Sequence, residues 1–117
     1  MTSDPLPGMP NVTNLVRDLY DKEMRKKVAH GRQMAAHVTW VKLVLKAAAG
    51  NQRAAERIKA AKAKVNSAAS VAKKAQTAED RARAKLVALL EDEKKVASIS
   101  DDDLKAVTDY VETNKRP

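Results

Sequence analysis

Apolar residues recur at spacings of three and four from Val12 to Ala48. Val12, Val16, Leu19, Tyr20, Met24, Val28, Met34, Val38, Val41, Leu45 and Ala48 describe one stripe, the mark of an amphipathic helix with a single buried face. Asn11 or Thr13 can cap its start by accepting backbone N–H groups that otherwise lack partners. Gly31 falls mid-helix, where glycine costs about 1 kcal/mol relative to alanine, and so marks a kink or a close contact. Gly50 ends the helix, because a left-handed C-terminal cap is easiest for glycine.

A second helical pattern follows. No Gly or Pro interrupts the chain from Asn51 to Val96, a stretch of about 69 Å if helical throughout. Alanine, lysine, arginine, glutamate and leucine fill most of it, and these are the strongest helix formers. Two heptad rows can be laid along it. One reads Ile58, Val65, Ala72, Glu79, Leu86, Glu93, and the other Ala61, Ala68, Ala75, Ala82, Leu89, Val96. This is a coiled-coil repeat interrupted at Glu79 and Glu93. Between Asn51 and Lys85 the only large apolar residues are Ile58, Val65 and Val71. Alanine buries little area, at about 25 cal/mol per Å², but lets a second backbone come close enough for dispersion contacts to accumulate.

The two-residue joint at Gly50 and Asn51, which caps the next helix, predicts an antiparallel hairpin. Folding there sets Leu15 and Leu19 near Ala82 and Leu86, and Trp40 to Leu45 near Glu56 to Ala61. It opposes Ala29, Gly31 and Ala35 with Ala68, Ala69 and Ala72. The competing arrangement is one continuous helix that dimerises through its seam, since a lone glycine does not always stop a helix.

Ile99-Ser100-Asp101-Asp102-Asp103-Leu104 opens a third helix. Ser100 and Asp103 have the spacing of a capping box, with Ile99 and Leu104 as its hydrophobic staple, and the aspartates suit the positive end of a helix dipole. Leu104, Val107 and Val111 form a stripe expected to pack on Leu86, Leu89, Leu90, Leu15 and Leu19 as a lid. Residues Ser100 to Val111 resemble the C-terminal helix of class I cytochromes c. The haem-attaching Cys-x-x-Cys-His is absent, and the segment is read as a capped amphipathic helix. The fold class is therefore all-α: a long antiparallel helical hairpin with an alanine-rich seam, plus a short C-terminal helix. Residues 1–10, with Pro5, Pro7, Gly8 and Pro10, read as an extended arm. Residues 11–97 read as the hairpin, with helices at about 12–49 and 51–96, and residues 98–117 as the capped third helix.

Composition narrows the function. With no Phe, one Trp and two Tyr, no large globular core is expected. The absence of cysteine excludes disulfides and thiolate metal sites. His30 and His37 stand seven residues apart without a neighbouring carboxylate, whereas ligands on one helix favour closer spacing. Asp101, Asp102 and Asp103 lack the glycine and glutamate of a calcium loop. No nucleophile array or phosphate-cradling loop is present, so neither enzymatic activity, a metal, a cofactor nor a small-molecule substrate is expected. The start of the chain lacks a secretory pattern, and no apolar stretch is long enough to span a bilayer. The expected location is the cytoplasm or a larger assembly.

The net charge is +8, concentrated on the first helix and the first part of the second. Lys22, Arg25, Lys26, Lys27 and Arg32 form one cluster, and Arg53, Arg57, Lys59, Lys62, Lys64, Lys73 and Lys74 another. Two function classes follow. The first is a non-enzymatic structural or assembly protein that presents long basic helical faces to partner chains or to itself, compatible with a small part of a larger particle such as a virion or secretion machine. Leu6, Met9, Met24, Met34, Trp40 and Leu43 are its expected contact residues. The second is nucleic-acid binding without sequence preference, in which the basic clusters neutralise phosphates. Met34 to Lys46 also reads as a basic amphipathic segment suited to a membrane surface. In a hairpin that face is expected to be buried, with Trp40 as a core anchor, which disfavours a membrane partner.

Overall fold

In the computed structural model, which describes residues 11–113 and Arg116, the chain is an all-α hairpin with short helices after it. Helix α1 is Val12–Ala48, α2 is Gln52–Glu91, α3 is Glu93–Ala97 and α4 is Asp101–Thr113. Asn11 starts α1, its Oδ1 accepting from Asn14 N at 3.2 Å. Gly50 turns the chain with φ +97°. Gly50 N donates to Ala47 O and Asn51 N to Lys46 O, each at 3.0 Å, a Schellman cap that satisfies two carbonyls of the last turn. Asn51 then caps α2 by accepting from Ala54 N at 3.1 Å.

The second long helix is shorter than the sequence pattern implied. It stops at Glu91, and Asp92 starts α3 by accepting from Lys94 N and Lys95 N at 3.1 and 3.2 Å. An Asp that satisfies the N–H groups of the next turn gives the chain an alternative to continuing the helix. Ser100 caps α4 as predicted, accepting from Asp103 N at 3.2 Å. Asp103 does not complete the box; its Oδ1 accepts from Thr13 Oγ1 on α1 at 2.6 Å.

Two compact units divide the chain, Met24–Thr77 and the remainder. In the unit made of residues 11–23 and 78–116, Val12, Val16 and Leu89 form a buried cluster covered by Leu15, Leu86, Ile99, Val107 and Tyr110. The expected lid is therefore present, but rotated about its axis. Val107 and Tyr110 face inward, whereas Leu104 and Val111 are exposed. The bond from Thr13 to Asp103 and an edge-on contact of Tyr20 with Tyr110, 6.0 Å between centroids, hold that rotation. Burial, then the negative charge of Glu23 and the neighbouring Tyr20, raise the Tyr110 pKa.

Glu79 sits in the same unit and is fully buried at 0 % exposure. It keeps its place in the heptad row because Arg83, one turn on, donates to its Oε1. That guanidinium also lies 3.6 Å from Glu23 on α1 and 3.8 Å from Asp80. The hydrogen bond to Glu79, followed by its charge, raises the Arg83 pKa.

In the unit Met24–Thr77 the buried side chains are Ala29, Ala54, Ala61 and Val65. From Arg25 to Ala48 the only residues of α1 that are not exposed are Lys26, Ala29, Gln33, Ala36, Trp40, Leu43 and Ala47. Their alternating spacing of three and four is a heptad seam. On α2 the facing row is Ala54, Ile58, Ala61, Val65, Ala68, Ala72 and Ala75, with Ala69 beside it. The single stripe read from the sequence is thus wrong beyond Met24: Val28, Met34, Val38, Val41, Leu45 and Ala48 all face solvent. Gly31 and Ala35, expected at the closest approach, also lie outside. A Cβ on Gly31 would meet nothing within 4 Å.

These positions predict opposite effects for two alanine substitutions in thermal melting. Gly31→Ala stabilises by about 0.5–1 kcal/mol, through loss of unfolded-state freedom alone. Gly50→Ala destabilises by about 1 kcal/mol or more, because an L side chain is strained at positive φ. The buried carboxylate gives a second pair, read in denaturant unfolding. Glu79→Leu restores an apolar row and leaves stability unchanged or raised, while Arg83→Ala leaves the carboxylate without its guanidinium and costs about 2–3 kcal/mol.

Candidate functional site

The basic residues gather because of how the chain divides. Met24–Thr77 contains thirteen lysines and arginines and one carboxylate, Glu56, for a net +12. The remaining residues hold ten against fourteen, a net −4. With one anion available, most cations of the basic unit have no carboxylate partner within it. A field of one sign raises the local concentration of anionic partners.

Lys26, Lys27 and Lys73 stand around one groove of about 520 Å³, with His30, Gln33 and Gln76 on its walls and Ala69 and Ala72 as its floor. Lys26 is half-buried on the inner seam and lines the groove from there. A second groove of about 440 Å³ is lined by Arg57 and Lys64 with Ala36, Thr39, Leu43, Ala60 and Ala61. Small side chains on the seam leave both grooves open. Arg25, Arg32, Arg53, Lys59 and Lys74 are exposed and line neither groove. Lys22 belongs to the other unit, where it pairs with Asp18 at 3.6 Å.

Lys62 has a different role. Its Nζ lies 4.2 Å from the centroid of the Trp40 ring, a cation–π contact. His37 lies beside the same ring at 5.6 Å. Trp40 is half-buried on the inner seam, and its Nε1 is buried without a hydrogen-bond partner. It is therefore a seam residue with a lysine over its ring. Leu43 is half-buried on the inner seam and Met24 is half-buried, while Leu6 and Met9 lie outside the described residues.

Of the expected contact residues that are described, only Met34 is exposed, and it belongs to a row that sequence reasoning assigned to the interior. Met34, Val38, Val41 and Leu45 are 52 %, 47 %, 36 % and 64 % exposed. Their steps of four, three and four form a second heptad row on the outer side of α1. The face that carries them is open, contrary to the expectation that the hairpin would bury it. The signal that finds it is the register: these residues are out of phase with Ala29, Ala36, Trp40 and Leu43.

Among the described residues no group of three or more His, Asp or Glu is placed to hold a metal ion. Among the same residues, no helix is long and apolar enough to cross a membrane. No family model, curated protein or solved structure matches this chain. The site is thus defined by its chemistry: an open apolar row and two lysine- and arginine-lined grooves on a unit of +12.

The groove yields a measurable expectation. If phosphates bind there, Lys26, Lys27, Lys73 and Lys74 changed to glutamine reduce the slope of log affinity against log salt by about 0.9 for each duplex-DNA phosphate that is no longer neutralised. Changing Lys74 alone, outside the groove, leaves most of that slope intact. Fluorescence anisotropy with a random duplex at several salt concentrations reads both.

Proposed function

We propose that the protein is a non-enzymatic assembly component whose basic hairpin unit docks on other chains through the outer face of α1. The observation that supports this is which face α1 turns inward. Burying a Val, Leu or Met side chain is worth roughly 1.5–3 kcal/mol, yet α1 packs Ala29, Gln33 and Ala36 on α2 and leaves Met34, Val38, Val41 and Leu45 in water. A chain that needed only a stable hairpin would gain by the opposite rotation. A heptad row left outside is suited to a second helix, and the surrounding cations favour a partner surface that is acidic.

A second reading, sequence-nonspecific binding of nucleic acid, is favoured by the gathering of Lys26, Lys27, His30 and Lys73 around one groove. It leaves the apolar row unused, and the unit carries a single Trp for stacking, which Lys62 covers. It therefore ranks behind assembly.

Photo-crosslinking separates the two. Benzoylphenylalanine at Val38, introduced in the native host, is expected to capture protein, while the same group at exposed Ser67 on α2 captures little. Capture of nucleic acid at both positions supports the second reading. Absence of any protein adduct at Val38 overturns the assembly reading.

A further inference from the structure

The outer row of α1 has a counterpart on the other unit. On α4, Leu104 and Val111 are 47 % and 73 % exposed, with Thr108 between them on the same side, because Val107 and Tyr110 take the inward positions. The α1 row extends over about 16 Å of helix and α4 is about 20 Å long, so one row can lie along the other. Their charged neighbours differ. Lys27 continues the α1 row one heptad before Met34, and Lys42 is a helical neighbour of both Val38 and Leu45. On α4, Asp101 precedes Leu104 by three positions and Glu112 follows Thr108 by four, against one cation, Lys105, three positions before Thr108.

Charge decides between the two ways in which a second copy can use these rows. Pairing α1 with α1 of another copy sets one +12 unit against another, and at physiological salt charges are screened only beyond about 8 Å. Pairing α1 with α4 of the next copy sets +12 against −4. The second arrangement matches both apolar row to apolar row and cation to anion.

We infer that the chain associates with itself head to tail, the Met34–Val38–Val41–Leu45 row of one copy packing on the Leu104–Thr108–Val111 row of the next. This rests on the assembly reading and names its partner: a second copy of this chain. The two faces of such a contact differ, so each copy keeps one of each free, and association propagates into a ring or an open chain. Because the rows are flanked by opposite charges, association weakens as salt rises.

The test uses two double variants of the full chain, Val38→Gln with Leu45→Gln and Leu104→Gln with Val111→Gln. All four positions are exposed, so circular dichroism and melting are expected to match wild type. In light scattering the wild-type mass rises with concentration past twice 12.8 kDa and falls in high salt, while each variant alone stays at 12.8 kDa. An equal mixture of the variants forms a one-to-one dimer and nothing larger, because one intact face of each kind remains. A wild-type protein monomeric at about 1 mM, roughly the weakest association of interest at about 4 kcal/mol, overturns the inference. The row is then left for another protein. A wild-type dimer that does not grow, and is lost only in the α1 variant, overturns it in favour of a symmetric contact. Protein adducts at Val38 that lack this chain remove the self-association inference and leave the assembly reading standing.

Discussion

The packing of the basic unit depends on the alanine row of α2. Ala54, Ala61, Ala68, Ala72 and Ala75 present a nearly smooth surface, broken by Ile58 and Val65. Such a surface attracts a second helix by close backbone approach, since little apolar area is available to remove from water. Close approach requires small facing residues on the partner helix, and α1 supplies Ala29, Ala36 and Ala47 there. The larger residues of α1 are then carried to the opposite side by helix geometry, because a side chain half a turn away cannot share the seam. The open row Met34, Val38, Val41 and Leu45 is thus a direct consequence of how the hairpin closes.

The other unit is built on a different principle. Its interior holds Val12, Val16 and Leu89 beneath Leu15, Leu86, Ile99, Val107 and Tyr110, an apolar cluster contributed by four segments of chain. It also contains most of the carboxylates, several of which pair locally: Asp21 with Arg116 at 2.9 Å, Asp18 with Lys22, and Glu79 and Glu23 with Arg83. The large aliphatic core and nearly all the acidic side chains therefore fall in one unit, and the small-residue seam and the excess of cations in the other. That separation makes a salt-sensitive, directional contact between copies physically available.

Glu79 occupies a seam position where leucine or valine would pack. A buried carboxylate paired with a guanidinium is seldom a net source of stability, because desolvation offsets much of the attraction. Its best-attested use is register: a polar residue in a coiled-coil seam penalises sliding, since a shifted partner leaves the charge without its bonds. Arg83 reaches both Glu79 and Glu23, so the network ties α2 to one level of α1. An alanine row by itself specifies register weakly, and Glu79 restores that information at the place where the alanines give way to Leu86 and Leu89.

Much of this protein follows from the sequence alone. Residue composition and the uninterrupted run after Asn51 determine the helices, Gly50 and Asn51 determine the joint, and Ser100 determines the start of α4. These are local effects of propensity and capping, which act within a few residues. The α2 seam was also legible, since Ala61, Val65, Ala82 and Leu89 are buried where the heptads placed them. Only the tertiary structure decided which face of α1 meets α2, which face of α4 meets the apolar cluster, and that Glu79 stays inside. Both helices carry two candidate faces, and side-chain size on α1 and aliphatic character on α4 favour the wrong one: Val38 and Leu45 over Ala29 and Ala36, Leu104 and Val111 over Tyr110. The choice between faces depends on the surface presented by the partner helix, on Thr13 bonding to Asp103, and on Tyr20 meeting Tyr110. Those contacts join residues far apart in the chain, and a pattern read along one helix contains no information about them.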